Sequence, residues 1–539
     1  MKLNHPALTL TAGALFANAL PSGSSSGSGD HDAPPCRFAL KWSQEQVLDH
    51  TDDFISDLLY WEGKFHQDGI AYNAENGMSY DGSQIDWVTG EKTEKHSFSA
   101  ASKEALQIML YSRTIDGSPE AARFISPGNP KDAPNKVISI MEKKLKTYQR
   151  FNETYPGFGG ALPWMVTNTV DVSPQDGWTN RVPGLDNGEL WWSVYAWIHA
   201  LEKINQPGYQ ELAKGWKTWL DVTLENMVKI FHRGEGVVCA VTEIGDQALP
   251  VDDPAQTYKC ESEAVLNDPY EGELVAYMFH LFGNLSEEDK DALWVAKRPQ
   301  LVNDEYDMGG VGPITVERGY WFSGHEPWKV LELPFYDVDI IRRVYHNAER
   351  ARTCNSVVTK VPGLFASVNN ITDVETDTII GYISPAGIPS IANQTEQYLE
   401  VITPYASWPT ILFDKPVGLA WWRNMVAGKK MQNPYGSTES TRVDGEGVSA
   451  LLTWDSKVLT VVSIIGGVGD LARERLQADG VYDEFVRIAE LSRIRLIIHG
   501  VKREYSMVFG DLKGEDIELC LPSVEIPDRG LKDFTQCEA

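Results

Sequence analysis

No stretch of the sequence reads H-E-x-x-H, no two cysteines stand as C-x-x-C, and no EF-hand loop is present. The usual zinc and calcium frameworks are therefore missing. The eleven histidines include no pair spaced for one helix face, so neither a metal nor another cofactor is expected. Basic residues are scarce: 48 Lys and Arg stand against 76 Asp and Glu, a formal charge of −28. That balance argues against nucleic acid and anionic membranes as partners and suits a neutral or cationic substrate. No apolar run is long enough to span a bilayer. Cysteine is sparse, at positions 36, 239, 260, 354, 520 and 537. The even number permits one to three disulfides, with the pairing open.

The N-terminus has the pattern of a secretory leader. Lys2 is its basic end, Ala7 to Phe16 its apolar stretch, and Ala17-Asn18-Ala19 a small-x-small cleavage site. Residues 1–19 are read as this leader, 20–35 as a Ser/Gly-rich linker, and 36–539 as one domain. The linker contains Gly23-Ser24-Ser25-Ser26-Gly27, a formal hydrolase elbow without the strand–turn–helix setting that the elbow requires. Four N-glycosylation sequons, at Asn152, Asn284, Asn370 and Asn393, fit the same extracellular route. A secreted monomer is expected.

Helical signals dominate the domain. Ser43 and Gln46 box the start of a helix over 44–61. Further helices are expected over 100–112, 133–150, 209–231, 271–282, 287–297 and 338–352. Asp186-Asn187-Gly188-Glu189 reads as a second box opening 190–203, and Asp268-Pro269-Tyr270-Glu271 as a third. Short strands are expected over 494–498 and 505–509. Paired helices with long irregular loops give a mainly α fold, a single (α/α)6 barrel with a few short strands. Two separate helical domains are the runner-up, with no clear linker to support them. Seventeen tryptophans need a use, and more than half are expected in the core. Trp191-Trp192 and Trp421-Trp422 belong there, being adjacent residues on apolar helices.

Two features could carry chemistry. Val458 to Ile465 followed by Gly467-Val468-Gly469-Asp470-Leu471-Ala472 matches a dinucleotide fingerprint in a strand-then-helix setting. The rest of a doubly wound sheet is missing, so a buried apolar segment with a glycine turn is the better reading. The other feature is acids in glycine- and aromatic-rich loops. Cys260 to Leu274 holds Glu261, Glu263, Asp268, Glu271 and Glu273. The last three suit a helix start, which leaves Glu261 and Glu263. Gln175 to Trp178 carries Asp176, Trp321 to Trp328 carries His325 and Glu326, and Ser440 to Gly447 carries Arg442, Asp444 and Glu446. Glycoside hydrolysis uses this inventory: one acid for the leaving oxygen, one carboxylate for water or the anomeric carbon, and aromatic rings for sugar faces. Such loops also serve structure alone, and Arg442 could be an ordinary surface ion pair.

The loops Gln175–Trp178, Tyr258–Leu274 ("YKCESEAVLNDPYEGEL"), Tyr320–Trp328 and Thr441–Gly447 resemble, in order and spacing, glycoside hydrolase family 162. These are fungal endo-β-1,2-glucanases with one (α/α)6 barrel, related in fold to family 144. The resemblance implies an anomer-inverting endo-hydrolysis of β-1,2-glucan to sophoro-oligosaccharides. It places the general acid on Glu261, acting through a substrate hydroxyl, and the general base on Asp444, acting through a water. Glu263 and Glu446, two residues on, are the alternatives. Asp176, Trp178, Glu263, Trp321, His325, Glu326, Trp328, Arg442 and Glu446 are the expected substrate contacts. Inversion implies carboxyls farther apart than the roughly 5 Å of retaining enzymes. A secreted glycan-binding protein without turnover remains a rival reading, as does another helical-barrel glycosidase or a polysaccharide lyase.

Overall fold

The helices fall into two kinds, and the difference lies in how far round each helix its buried residues run. The structure, a computed structural model, describes residues 35–266, 272–295, 297–298, 301–318, 327–369, 372–373, 378–379, 382–383, 386–392, 396–492, 494–499, 502–507, 512–528 and 530–537. Gly184–Glu202, Ala101–Ile115 and Trp454–Ile465 are buried on nearly every side. A helix buried all round sits inside other elements. Ala133–Thr154 and Pro207–Phe231 instead bury one stripe, such as Val137, Met141, Leu145 and Tyr148, and leave the rest to water. The first kind forms an inner layer and the second an outer one, the arrangement of an (α/α)6 barrel. Ala101–Ile115 packs on Gly184–Glu202, which packs on Gly272–Phe282, and Trp454–Ile465 closes the ring against Ala101–Ile115.

Several sequence expectations hold. Ser43 and Gln46 form the reciprocal capping box. Trp191, Trp192, Trp197, Trp216, Trp294, Trp328, Trp408, Trp421, Trp422 and Trp454 are fully buried, more than half of the seventeen. Ile494–His499 pairs with Lys502–Met507 as an antiparallel hairpin, the second strand opening three residues before the expected 505.

Others are corrected. The helix expected over 44–61 breaks at His50, whose non-helical backbone separates Gln44–Asp49 from Thr51–Glu62. Asp186 to Glu189 is no cap: the helix begins at Gly184, and Asn187 turns its amide to Leu162 and the Pro183 carbonyl. The β-branched run at 458–465 is helical, within Trp454–Ile465, because burial from all sides outweighs its strand propensity. Gly466, at φ 94°, ends that helix in the left-handed region. The proposed box at Asp268 lies outside the described residues.

Buried ion pairs tie the layers. Lys144 of the outer helix meets Glu104 of the inner one, both fully buried, and Glu104 also accepts from Ser79, Ser99 and Tyr148. Lys457 reaches Glu62 at 3.1 Å. Three disulfides form, Cys36–Cys537, Cys239–Cys260 and Cys354–Cys520. Among the described residues no helix is long and apolar enough to cross a membrane.

Candidate active site

Small sheets at the loop ends present the acids. Arg181–Pro183, Val241–Ile244 and Tyr258–Cys260 form a three-stranded antiparallel sheet with Val241–Ile244 in the middle. Cys260 ends its strand and is bonded to Cys239, so Glu261 leaves from a pinned position. Arg181, on the opposite outer strand, reaches across: its Nε donates to Glu261 Oε2 at 3.1 Å, and Nη2 reaches the same oxygen. The Glu261 side chain keeps 28% of its surface exposed. Ser262, which follows, has a φ of 50°. A non-glycine residue there costs about 1–2 kcal/mol, a strain of the kind found beside functional groups.

Arg181 is itself held. Its guanidinium lies 4.9 Å over the Trp178 ring, and Nη1 donates to the Gly177 carbonyl at 3.2 Å. Trp178 stacks on Trp164 at 5.0 Å, Trp164 on Phe98 at 5.8 Å, and Phe98 on His96 at 5.8 Å, all within 16° of parallel. Trp178 was read as a sugar-stacking ring. Trp164 stacks on it and the Arg181 guanidinium lies over it, so Trp178 orients Arg181.

The far end of this ladder meets a second charged group. His96 Nδ1 bonds to Asp81 at 3.0 Å, and Lys103 pairs with Asp455 at 2.6 Å. Lys103 and Asp455 sit in the first turns of Ala101–Ile115 and Trp454–Ile465. Asp186, in the first turn of Gly184–Glu202, accepts from Trp164 Nε1 at 3.2 Å. The first turns of three inner helices thus share one electrostatic neighbourhood. Burial of Lys103 opposes its charge, but Asp455, Asp81 and Asp186 outweigh it and raise its pKa. Burial raises Asp186, and raises Glu189 one turn on well above the carboxylate range, with Asp186 and Glu332 adding to it.

Burial of His96 disfavours its cation, yet Asp81, Glu439 and Glu94 together lift its pKa above 6.5. A histidine raised on folding stabilises fully below its unfolded value and loses that contribution as pH rises through the folded one. The melting temperature of His96→Gln should therefore fall furthest below wild type at pH below about 6.5, with the gap closing as pH rises above that value. A gap that stays constant with pH in a thermal-denaturation series would refute the charged pair.

Asp444 occupies a hairpin tip between Ser440–Arg442 and Val448–Ser449, with Val401–Ile402 on the outer side. Arg442 Nη2 contacts Asp444 Oδ2, and the Glu446 N–H donates to Oδ1 at 3.0 Å. Its side chain keeps 29% exposed. The Glu446 side chain points to solvent. No hydrogen bond joins Glu261 to Asp444; each has its own arginine, on a separate sheet.

Asp176 is exposed and accepts from the Gly177 N–H. Trp328 is 2% exposed, in the core, so it offers no face to a sugar. Trp321, His325 and Glu326 lie outside the described residues, and of Glu263 only the backbone is described. Sequence reasoning passed over Arg181, Trp164, His96, Asp81, Lys103 and Asp455. Arg181 had a faint signal, three residues after Trp178; the others come together only through the fold.

Comparison with known proteins adds identity to this geometry. Residues 78–538 match the family described as endo-β-1,2-glucanase SGL, glycoside hydrolase family 162. A solved endo-β-1,2-glucanase from Talaromyces funiculosus, in complex with sophorose, is 61% identical, with 94% of this chain and 100% of that one covered at a TM-score of 0.90. A variant of the Talaromyces funiculosus enzyme, in complex with β-1,2-glucan, is 60% identical over the same shares at 0.90. An endo-β-1,2-glucanase from Chitinophaga pinensis, 13% identical over 82% of this chain and 97% of that one, shares the fold at 0.56. No curated protein sequence matches the chain. With most of its length matched to the family and its helices closed into the same ring, the chain belongs to glycoside hydrolase family 162 and is a β-1,2-glucan-cleaving glycoside hydrolase.

Proposed function

We propose that the chain cleaves β-1,2-glucan internally with inversion of the anomeric centre, Glu261 serving as general acid and Asp444 as general base. One observation carries the residue roles. Each carboxylate is partly exposed, is fixed by a dedicated arginine, and is not bonded to the other. Inversion further calls for the two carboxyls to stand farther apart than the roughly 5 Å of retaining enzymes, so that a water fits between base and anomeric carbon. A relay through a substrate hydroxyl on the acid side, and through a second water on the base side, suits two groups on separate sheets. The relative solved with β-1,2-glucan carries a Glu→Gln substitution, the change that keeps a general acid's shape and removes its proton.

The chain is proposed to be secreted as a monomer: residues 1–19 a leader, 20–35 a linker, 36–539 the catalytic domain. Three disulfides support an oxidising destination. Of the sequons, Asn284 is exposed and open to a glycan, while Asn152 is half-buried; Asn370 and Asn393 lie outside the described residues.

The test is product analysis on linear β-1,2-, β-1,3-, β-1,4- and α-1,4-glucans, with proton NMR of the first product. Short sophoro-oligosaccharides from β-1,2-glucan alone, appearing first as the α-anomer, are expected. First appearance of the β-anomer would overturn inversion. Glucose or sophorose released alone from the outset would overturn endo-action.

A further inference from the structure

Gly445, next to Asp444, is backed by a distant part of the chain. Its φ is 72°, and a Cβ there would run into the Pro527 carbonyl oxygen and lie 3.2 Å from the Ile526 side chain. Only glycine accepts both the backbone angle and that approach. Ile526 also covers Gly428, where an added Cβ would stand 2.9 Å from Ile526 Cδ1. The segment bearing these residues has no helix or strand among its described residues before Thr535–Cys537. Cross-links hold it instead. At its start, Cys520 is bonded to Cys354 in the Asp339–Val358 helix, and its carbonyl accepts from Trp421 Nε1 at 2.8 Å. Midway, Asn424 Nδ2 donates to the Val524 carbonyl at 2.9 Å. At its end, Asp533 accepts from the Lys430 N–H at 3.2 Å, and Cys537 is bonded to Cys36.

We infer that this C-terminal strap is a brace for the Asp444 loop, with Ile526 and Pro527 as positioning residues for hydrolysis and the two disulfides as its anchors. The inference rests on the reading of Asp444 given above. The loop hangs from two short strands, and the Val443 N–H ties its base to the Glu400 carbonyl at 2.9 Å. Its tip, at Gly445, is where the strap packs. A catalytic group displaced by about 1 Å can lose on the order of 10²-fold in rate, so a modest loosening is measurable.

The experiment compares full-length Ile526→Ala and the pair Cys354→Ala/Cys520→Ala with wild type on β-1,2-glucan, with circular dichroism confirming a folded protein at assay temperature. Ile526→Ala is expected to lower kcat about 5- to 10-fold and the cysteine pair about 10-fold or more, with KM within about 2-fold. Folded variants with wild-type kcat, or with a raised KM and unchanged kcat, would overturn the brace. If the cysteine pair does not fold, Ile526→Ala decides alone, since it trims one half-buried side chain. Failure of the two readings is distinguishable. An active Asp444→Asn beside a slowed Ile526→Ala removes Asp444 as base and keeps the brace for another group of the loop. An inactive Asp444→Asn beside a normal Ile526→Ala keeps the base and removes the brace.

Discussion

Glu261→Gln should lower kcat on β-1,2-glucan at least ~10²-fold with little change in KM, the scale of losing a positioned general acid. Glutamine has the same shape, and its side-chain oxygen can still accept from Arg181, so the sheet that carries Arg181–Pro183 and Tyr258–Cys260 keeps its geometry. What disappears is a proton that can be passed to the glycosidic oxygen. The neighbour supplies the control. Glu263→Gln should stay within about 3-fold of wild type; if it is the inactive variant and Glu261→Gln the active one, the acid moves by two residues. Reducing-end release at saturating substrate, compared with the melting temperature, reads both.

The second large effect is expected of Asp444→Asn, again a loss of at least ~10²-fold in kcat. Here the diagnostic is the contrast with stability. The substitution keeps an oxygen for the Glu446 N–H but removes the charge opposite Arg442. That pair is about a third exposed on each side, so solvent screens it and its loss should cost less than about 1 kcal/mol. A large fall in rate with a nearly unchanged melting temperature is the signature of a base. A parallel fall in both would make Asp444 a structural residue, and an inactive Glu446→Gln with active Asp444→Asn would move the base along the loop.

Element type was legible where the pattern was long and local: the Ser43 cap, the amphipathic outer helices and the C-terminal hairpin all follow from spacing and capping. It failed where tertiary burial decides. Val458 to Ile465 is rich in β-branched residues and still helical, since it is buried on nearly every side. Asp186 looked spent on a cap, yet the helix starts two residues earlier and leaves that carboxyl to Trp164. The site was half legible. Glu261 and Asp444 stand in loops whose composition marks them, but their arginines act through space. The Arg181 contact with Glu261 joins residues 80 apart in sequence, and no local pattern announces it. Trp178 shows the same limit from the other direction: its type suggested a sugar platform, and only the stack of Trp164 and Arg181 against it reveals another use.

The closure of the inner ring by Trp454–Ile465 against Ala101–Ile115 has a consequence for biosynthesis. Roughly 350 residues separate the two helices in the chain. At about 5–20 residues per second, translation leaves the first of them without its partner for roughly 20–70 s. Throughout that interval one apolar flank of a helix meant for full burial faces whatever the nascent chain meets. Contacts this distant in sequence also slow folding, because the entropy of bringing the ends together must be met before they reward it. A chaperone that shields the N-terminal half until the last inner helix emerges should therefore raise the yield of active enzyme more than any gain in the stability of the finished ring.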